Sequence, residues 1–249
     1  FFDADRDGDP DLYLVNQRKI LPPVPEPAPH AKFFLNDGTG HFTDATASSG
    51  LGDPGYTLGV CGGDIDNDGD IDLYATHFDG KNVLWLNNGN LTFTDITDSA
   101  GVPGINKVVD SSCAFADING DGLLDLYVGV YVDHSITNNK ECTRVLKATG
   151  EKVREYCTPR HYEPVADVMY LNRGYNKFEN VSESSGIASA KGRSLTIAFS
   201  DADHDGDQDI FVACDRTASL FYENQGGGKY RERADQVGIA LSVDGNEEA

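Results

Sequence analysis

Short apolar runs recur along this chain and are separated by stretches rich in Asp, Asn and Gly. Four of the runs, "LYLVN" (12–16), "LYATH" (73–77), "LYVGV" (126–130) and "IFVAC" (210–214), each follow a run of acidic residues. Further on, paired apolar segments flank an Asn- and Gly-rich turn in "FFLNDGTGHFTDAT" (33–46), "LWLNNGNLTFTDIT" (84–97), "MYLNRGYNKFENVS" (169–182) and "LFYENQGGGKYRERA" (220–234). Asn and Gly supply the positive φ that tight hairpin turns require. A short "SGL", "AGV", "SGI" or "VGI" segment then leads into the next apolar run, such as "SLTIAFS" (194–200). Helical periodicity is absent over any useful length, so the pattern predicts strands throughout.

One unit therefore reads strand A, acidic loop, strand B, strand C, turn, strand D, and the chain contains it four times. Four antiparallel strands repeated at this interval predict an all-β fold, a β-propeller with four-stranded blades at 1–50, 51–102, 103–187 and 188–240. Two units carry insertions between strands B and C. One is proline-rich (17–32) and expected to be extended, and the other covers 133–167. The first unit lacks a strand A, the last stops where another would begin, and no initiator Met is present. These features suggest 1–249 as a partial propeller domain, a piece of a longer polypeptide carrying about four blades of seven.

Charge changes the picture most. The 249 residues carry a formal charge of −21, which argues against nucleic acid or an anionic membrane as partner. No run is long and apolar enough to insert in a bilayer. The acidic residues are not scattered: 18 aspartates fall in "DADRDGDPD" (3–11), "DIDNDGDID" (64–72), "DINGDGLLD" (117–125) and "DADHDGDQD" (201–209). The spacing offers oxygen donors from positions 1, 3, 5 and 9, with a position-7 carbonyl able to turn inward and glycine at position 6 (Gly8, Gly69, Gly122, Gly206) allowing a sharp bend. The candidate metal residues are Asp3, Asp5, Asp7, Asp9 and Asp11; Asp64, Asp66, Asp68, Asp70 and Asp72; Asp117, Asn119, Asp121, Leu123 and Asp125; and Asp201, Asp203, Asp205, Asp207 and Asp209.

Hard oxygen donors without His or Cys point to calcium, about one ion per blade and four in this chain. An EF-hand is excluded, because its position-12 Glu is replaced by Leu14, Ala75, Val128 and Val212 and the flanks are strands. A single Asp-Gly run is compatible with a metal-free turn, but four in register favour ligation. The third loop carries least charge and is expected to bind most weakly.

These repeats resemble the FG-GAP/VCBS class of calcium-binding propeller blades, found in integrin α-subunit heads and bacterial secreted proteins. More narrowly, "YCTPRHYEPVADVMYLNRGYNKFENVSESSGI" (156–187) resembles the cartilage acidic protein/ASPIC–UnbV group. Thr158 stands where that group has Gly, and Met169 where it has Leu. The resemblance implies a seven-bladed, extracellular, calcium-stabilised propeller used for binding or adhesion, and it implies no reaction.

Among the five cysteines, Cys142 and Cys157 flank a polar segment and make a candidate disulfide, which suits an oxidising compartment. Cys61, Cys113 and Cys214 lie in strand contexts and read as buried thiols. Connectivity puts the aspartate loops on one face and both insertions on the other. Long loops on a rigid scaffold carry recognition, so 17–32 and 133–167 are the candidate partner surface, with Lys140, Arg144, Lys147, Lys152, Arg154 and Arg160 as its cations. Asn90 and Asn180 head glycosylation sequons. No nucleophile elbow, HExxH or phosphate-binding glycine loop is present, so the expected role is a non-catalytic extracellular scaffold for a protein or glycan. Two alternatives stay open: a subunit that self-associates into a fibre or surface layer, and a polysaccharide-active enzyme whose site lies on other blades.

Overall fold

The computed structural model describes residues 1–16, 30–53 and 55–241. The proline-rich insertion lies outside them except for its last residues, where Ala31 is already buried and Lys32 already opens a strand. Four antiparallel sheets follow one another along the chain. The first has three strands, β1 (Leu12–Leu14), β2 (Lys32–Asn36) and β3 (Phe42–Asp44). The second runs β4 (Thr57–Gly63), β5 (Asp72–His77), β6 (Val83–Asn87) and β7 (Phe93–Asp95) in spatial order. In the third, β8 (Asp110–Ala116) and β9 (Asp125–Val130) are followed in the chain by a separate hairpin, β10 (Cys142–Val145) and β11 (Lys152–Glu155). The sheet then resumes with β12 (Val168–Asn172) and β13 (Phe178–Asn180). The fourth is β14 (Ser194–Ser200), β15 (Asp209–Cys214), β16 (Leu220–Asn224) and β17 (Tyr230–Glu232).

The long first strands share an irregularity. Register shifts between Thr57 and Gly59, Asp110 and Ser112, and Ser194 and Thr196 place one bulge at the same point of each. A bulge increases local twist, so the repeat preserves curvature as well as pattern.

The sequence pattern did not reveal the four one-turn helices that follow the last strand of each sheet: α1 (Thr46–Ser49), α2 (Thr97–Ala100), α3 (Ser182–Ser185) and α4 (Ala234–Val237). In the first three, an Asp or Asn side chain two residues upstream accepts from the Thr46, Thr97 or Ser182 N–H. The hydroxyl of that Thr or Ser then accepts from the N–H of Phe33, Leu84 or Met169, tying helix to sheet. Each helix ends on a left-handed glycine, such as Gly101 at φ 84°, which is the glycine of the "SGL/AGV/SGI/VGI" segments.

Hydrophobic cores lie between successive sheets. Phe33, Leu51 and Tyr13 from the first pack on Leu73, Ala75 and Trp85 of the second. Tyr74 and Leu84 of the second pack on Leu126, Val128 and Tyr170 of the third. Tyr127, Met169 and Leu171 of the third pack on Ile210, Val212 and Tyr222 of the fourth. The apolar side chains on both faces of a middle sheet are thus used, one face for each neighbour. Among the described residues no helix is long and apolar enough to cross a membrane.

Candidate functional site

The aspartate loops join the first and second strands of each sheet, or precede β1 in the first, and they repeat one hydrogen-bond plan. The position-1 carboxylate accepts from the position-6 glycine N–H: Asp3 from Gly8 at 3.0 Å, Asp64 from Gly69 at 2.9 Å, Asp117 from Gly122 at 2.9 Å and Asp201 from Gly206 at 3.2 Å. The position-5 carboxylate accepts from the position-7 N–H, as Asp7 does from Asp9 and Asp68 from Asp70, both at 2.8 Å. Asp121 and Asp205 do the same for Leu123 and Asp207. The chain can fold back this tightly because the position-6 glycines sit at φ between 84° and 97°, where a side chain is strained. Position 4 is also left-handed, at Arg6, Asn67, Gly120 and His204. The sequence pattern did not signal that second bend.

The position-9 aspartates take a different role. Asp11, Asp72, Asp125 and Asp209 are buried. One oxygen of each accepts from the N–H of Asn36, Asn87, Asn172 or Asn224, the last residues of β2, β6, β12 and β16. The other accepts from the position-2 N–H of Ala4, Ile65, Ile118 or Ala202. Each therefore pins the loop to its own sheet. Burial pushes the Asp72 carboxyl up to about 7 and Asp125 up to about 6, against the opposing effect of these donors. Three of the same asparagines reach back to the preceding loop. Asn87 donates to the Ala4 carbonyl, Asn172 to that of Ile65 and Asn224 to that of Ile118. Arg6 likewise crosses to the second loop, 2.6 Å from the buried Asp70, and Asn67 crosses to the Gly122 carbonyl at 3.1 Å. The loops share one end of the stacked sheets.

Three loops gather carboxylate oxygens within 4.8 Å of one another: Asp3, Asp5 and Asp11; Asp64, Asp66 and Asp72; Asp201, Asp203 and Asp205. Asp3 Oδ1 and Asp66 Oδ1 are buried and without a hydrogen-bond partner among the described residues. Unpaired buried carboxylate oxygens in an all-oxygen donor set fit a hard divalent cation. Desolvation, helped by neighbouring aspartates, raises the Asp5 and Asp66 carboxyls, as expected where like charges crowd and lose hydration. The third loop differs: Asn119 donates to Asp121 at 3.0 Å and thereby occupies one of the few oxygens available. Asp207 is exposed, whereas its counterpart Asp70 is held by Arg6.

At the opposite end, segment 133–167 arches over the second and third sheets. Cys142 and Cys157 are bonded, with Cα atoms 5.2 Å apart, and close the β10–β11 hairpin. Beneath lies a cavity of about 960 Å³. Its wall carries a series of rings, with centroids 5.7 Å apart for Tyr56–Phe78, 5.0 Å for Phe78–His134 and 4.4 Å for His134–Tyr162. Lys140 lies over the Tyr162 ring at 5.0 Å. Of the six candidate cations, Lys140, Arg144 and Arg154 line the cavity, while Lys147, Lys152 and Arg160 do not. Arg144 pairs with Glu155 at 3.2 Å. Segment 133–167 also holds six carboxylates, so its positive character is local to the cavity rather than general. Asn90 and Asn180 are exposed, and their side-chain oxygens accept from Thr92 and Ser182.

Sequence reasoning missed the buried polar groups at this end. His77 meets Asp53 at 2.6 Å with both side chains buried. Burial opposes the His77 charge, but the Asp53 carboxylate outweighs it and raises the pKa. Asp110 accepts from Asn82 at 2.7 Å and Asp167 from Tyr127 at 2.9 Å, and burial pushes them up to about 7 and about 6. An isolated Asp before a strand gave no signal, because each partner comes from a distant part of the chain.

The FG-GAP-like repeat family matches residues 3–75 and 64–128, half of the chain between them, and the chain belongs to that family. Cartilage acidic protein 1 of Xenopus tropicalis is 31% identical over 108 residues, covering 41% of this chain and 16% of that protein. The Homo sapiens protein of the same name is 28% identical over 131 residues, covering 51% and 19%. The matched regions thus span less than a fifth of either relative's length. A solved structure titled for recognition of non-reducing terminal N-acetylglucosamine by an Agrocybe aegerita lectin aligns over 81% of this chain and 59% of its own. It does so at 17% identity and a TM-score of 0.28, too low to carry an argument.

Proposed function

We propose that this chain is part of a calcium-stabilised, extracellular β-propeller that works as a non-catalytic binding scaffold, with its ligand site in the cavity under segment 133–167. The family membership and the face-to-face stacking of four-stranded sheets support the propeller. The Cys142–Cys157 bond suits an oxidising, extracellular setting. Calcium would be held by the carboxylates at positions 1, 3 and 5 with help from position 9, and its contribution is to neutralise charge that the folded loops otherwise crowd together. The ion belongs to the folding of the scaffold and not to a reaction.

The observation that carries the binding role is the cavity itself: roomy, walled by rings and edged by cations in a chain of charge −21. Rings stack on sugar faces, and exposed guanidinium groups pair with carboxylate or sulfate. Arg154 has no acidic partner among the described residues. An acidic oligosaccharide fits this chemistry. Titration calorimetry with sulfated and uronic-acid oligosaccharides against their neutral counterparts tests the assignment. The acidic ligands should bind, and Tyr56→Ala, at a half-buried ring of the wall, and Arg154→Ala should each weaken binding by about tenfold, the loss of one good contact. Equal affinity for neutral and acidic ligands, or variants that bind as the parent does, would defeat it.

A further inference from the structure

Two of the three free thiols face each other across neighbouring sheets. Strands β4 and β8 run side by side as the first strands of the second and third sheets. A Cβ at Gly59 would lie 2.9 Å from the Ser111 carbonyl oxygen and 3.1 Å from Ser112 Cα. A Cβ at Gly63 would lie 3.3 Å from Phe115 Cβ. The backbones approach this closely because those positions carry no side chain. The same register sets residue 61 opposite residue 113, and Cys61 and Cys113 both pack against the core between the second and third sheets, close enough for Cys113 to influence the Cys61 thiol. Both are half-buried, and Cys113 also donates to the Tyr74 carbonyl at 3.4 Å. The third free thiol, Cys214, is buried elsewhere, in the core between the third and fourth sheets.

We propose that Cys61 and Cys113 form a second, redox-responsive disulfide that joins the second and third sheets, with a small-molecule disulfide such as oxidised glutathione as the oxidant. One cysteine thiolate attacks the small disulfide, forming a mixed disulfide and releasing one small thiol. The other thiolate then attacks the protein sulfur of that mixed disulfide and releases the second small thiol. Both cysteine protons pass to the two departing thiolates, so two protein thiols are oxidised as one small disulfide is reduced.

Geometry favours the closing step, because the resolving cysteine sits opposite the first on the adjoining strand. Access opposes it: desolvation and the neighbouring Cys113 raise the Cys61 thiol and keep it protonated. The pair therefore responds slowly, over a range of oxidant, instead of closing at once. The consequence reaches the cavity. Tyr56, Leu58 and Val109 line it from the start of, or just before, the same two strands, so the bond fixes the spacing of that part of the wall. Its loop, from residue 61 to residue 113, is long enough for a large entropic stabilisation.

The test uses the whole chain in saturating calcium, incubated with oxidised glutathione and then alkylated in denaturant. Non-reducing peptide mapping should show a peptide containing residue 61 joined to one containing residue 113, with the bond between 142 and 157 intact. Free thiols should fall from three per chain to one. The melting temperature should rise by about 10 °C and return on mild reduction. Cys61→Ser and Cys113→Ser should each abolish that rise while melting with the reduced parent. Cys61 and Cys113 both recovered alkylated, both carrying glutathione, or each bonded to a cysteine of another chain would overturn the proposal. Mapping on the unaltered protein decides the matter even if a serine variant fails to fold.

Discussion

At the loop end, Asp72 accepts from Ile65 and Asn87, and Asp11, Asp125 and Asp209 repeat that arrangement in every unit. At the opposite end, Asp53 meets His77, Asp110 meets Asn82 and Asp167 meets Tyr127 and Ser194, and no two of these sets are alike. Both ends bury carboxylates. The loop end satisfies them with backbone N–H groups, which any sequence supplies, so the arrangement survives repetition. The other end adds side chains to backbone donors such as Gly55 and Val130, with Asn82 and Ser194 reaching Asp110 and Asp167 from a neighbouring sheet, and there each unit has diverged and one carries a disulfide-closed insertion. Backbone-bound chemistry is copied with the repeat; side-chain chemistry is free to specialise.

The sharpest way to break this contrast is to remove calcium. Ligand bound only by the folded state stabilises each site by about 2.7 kcal/mol at a hundredfold excess over Kd. A domain of this size shifts by about 2–4 °C per kcal/mol. Chelation should therefore lower the melting temperature by at least about 5 °C, and by more if several loops are filled. An unchanged scanning-calorimetry trace would remove the cation from the account.

Single substitutions should then separate ligand from pin. Asp72→Ala leaves two buried N–H groups without an acceptor, at about 1–3 kcal/mol each, and should lower stability with or without calcium. Asp203→Ala alters an exposed position-3 carboxylate and should matter only when calcium is present. Urea titrations of both variants, with calcium and with chelator, check this. If Asp72→Ala is harmless in chelator, position 9 is no pin.

A smaller effect belongs to the opposite end. The Asp110 carboxyl titrates near 7 in the fold and near 3.9 when unfolded. Its contribution is complete below about pH 4 and is lost as pH rises through about 7. Melting temperature should fall between pH 5 and 8, and Asp110→Asn should flatten the slope. Because the raised His77 and Asp167 pKa values act in the same direction, part of the slope should remain. An identical slope in the variant would show that Asp110 is not the titrating group.

Much of the architecture was legible before any coordinates. Strand pattern, acidic loop and Asn-Gly turn lie within one unit, so period-two alternation and turn chemistry reveal them. The one-turn helices were hidden because a single turn has no periodicity. The β10–β11 hairpin was hidden by its polar, exposed strands. The split among the loop aspartates was also hidden. The aspartates at positions 1, 3, 5 and 9 look alike in sequence, and only contact with the Asn that ends β2, β6, β12 or β16 sets position 9 apart.

The sequence by itself determined the repeat unit and the donor spacing of its loops, because nine consecutive residues with glycine at the sixth leave the backbone few ways to fold. The tertiary structure alone decided which distant groups meet: Arg6 with Asp70, Cys61 with Cys113, and the rings of Tyr56, Phe78, His134 and Tyr162. Those meetings depend on how one sheet stacks on the next, which no local pattern encodes, since the residues involved are separated by whole strands and loops.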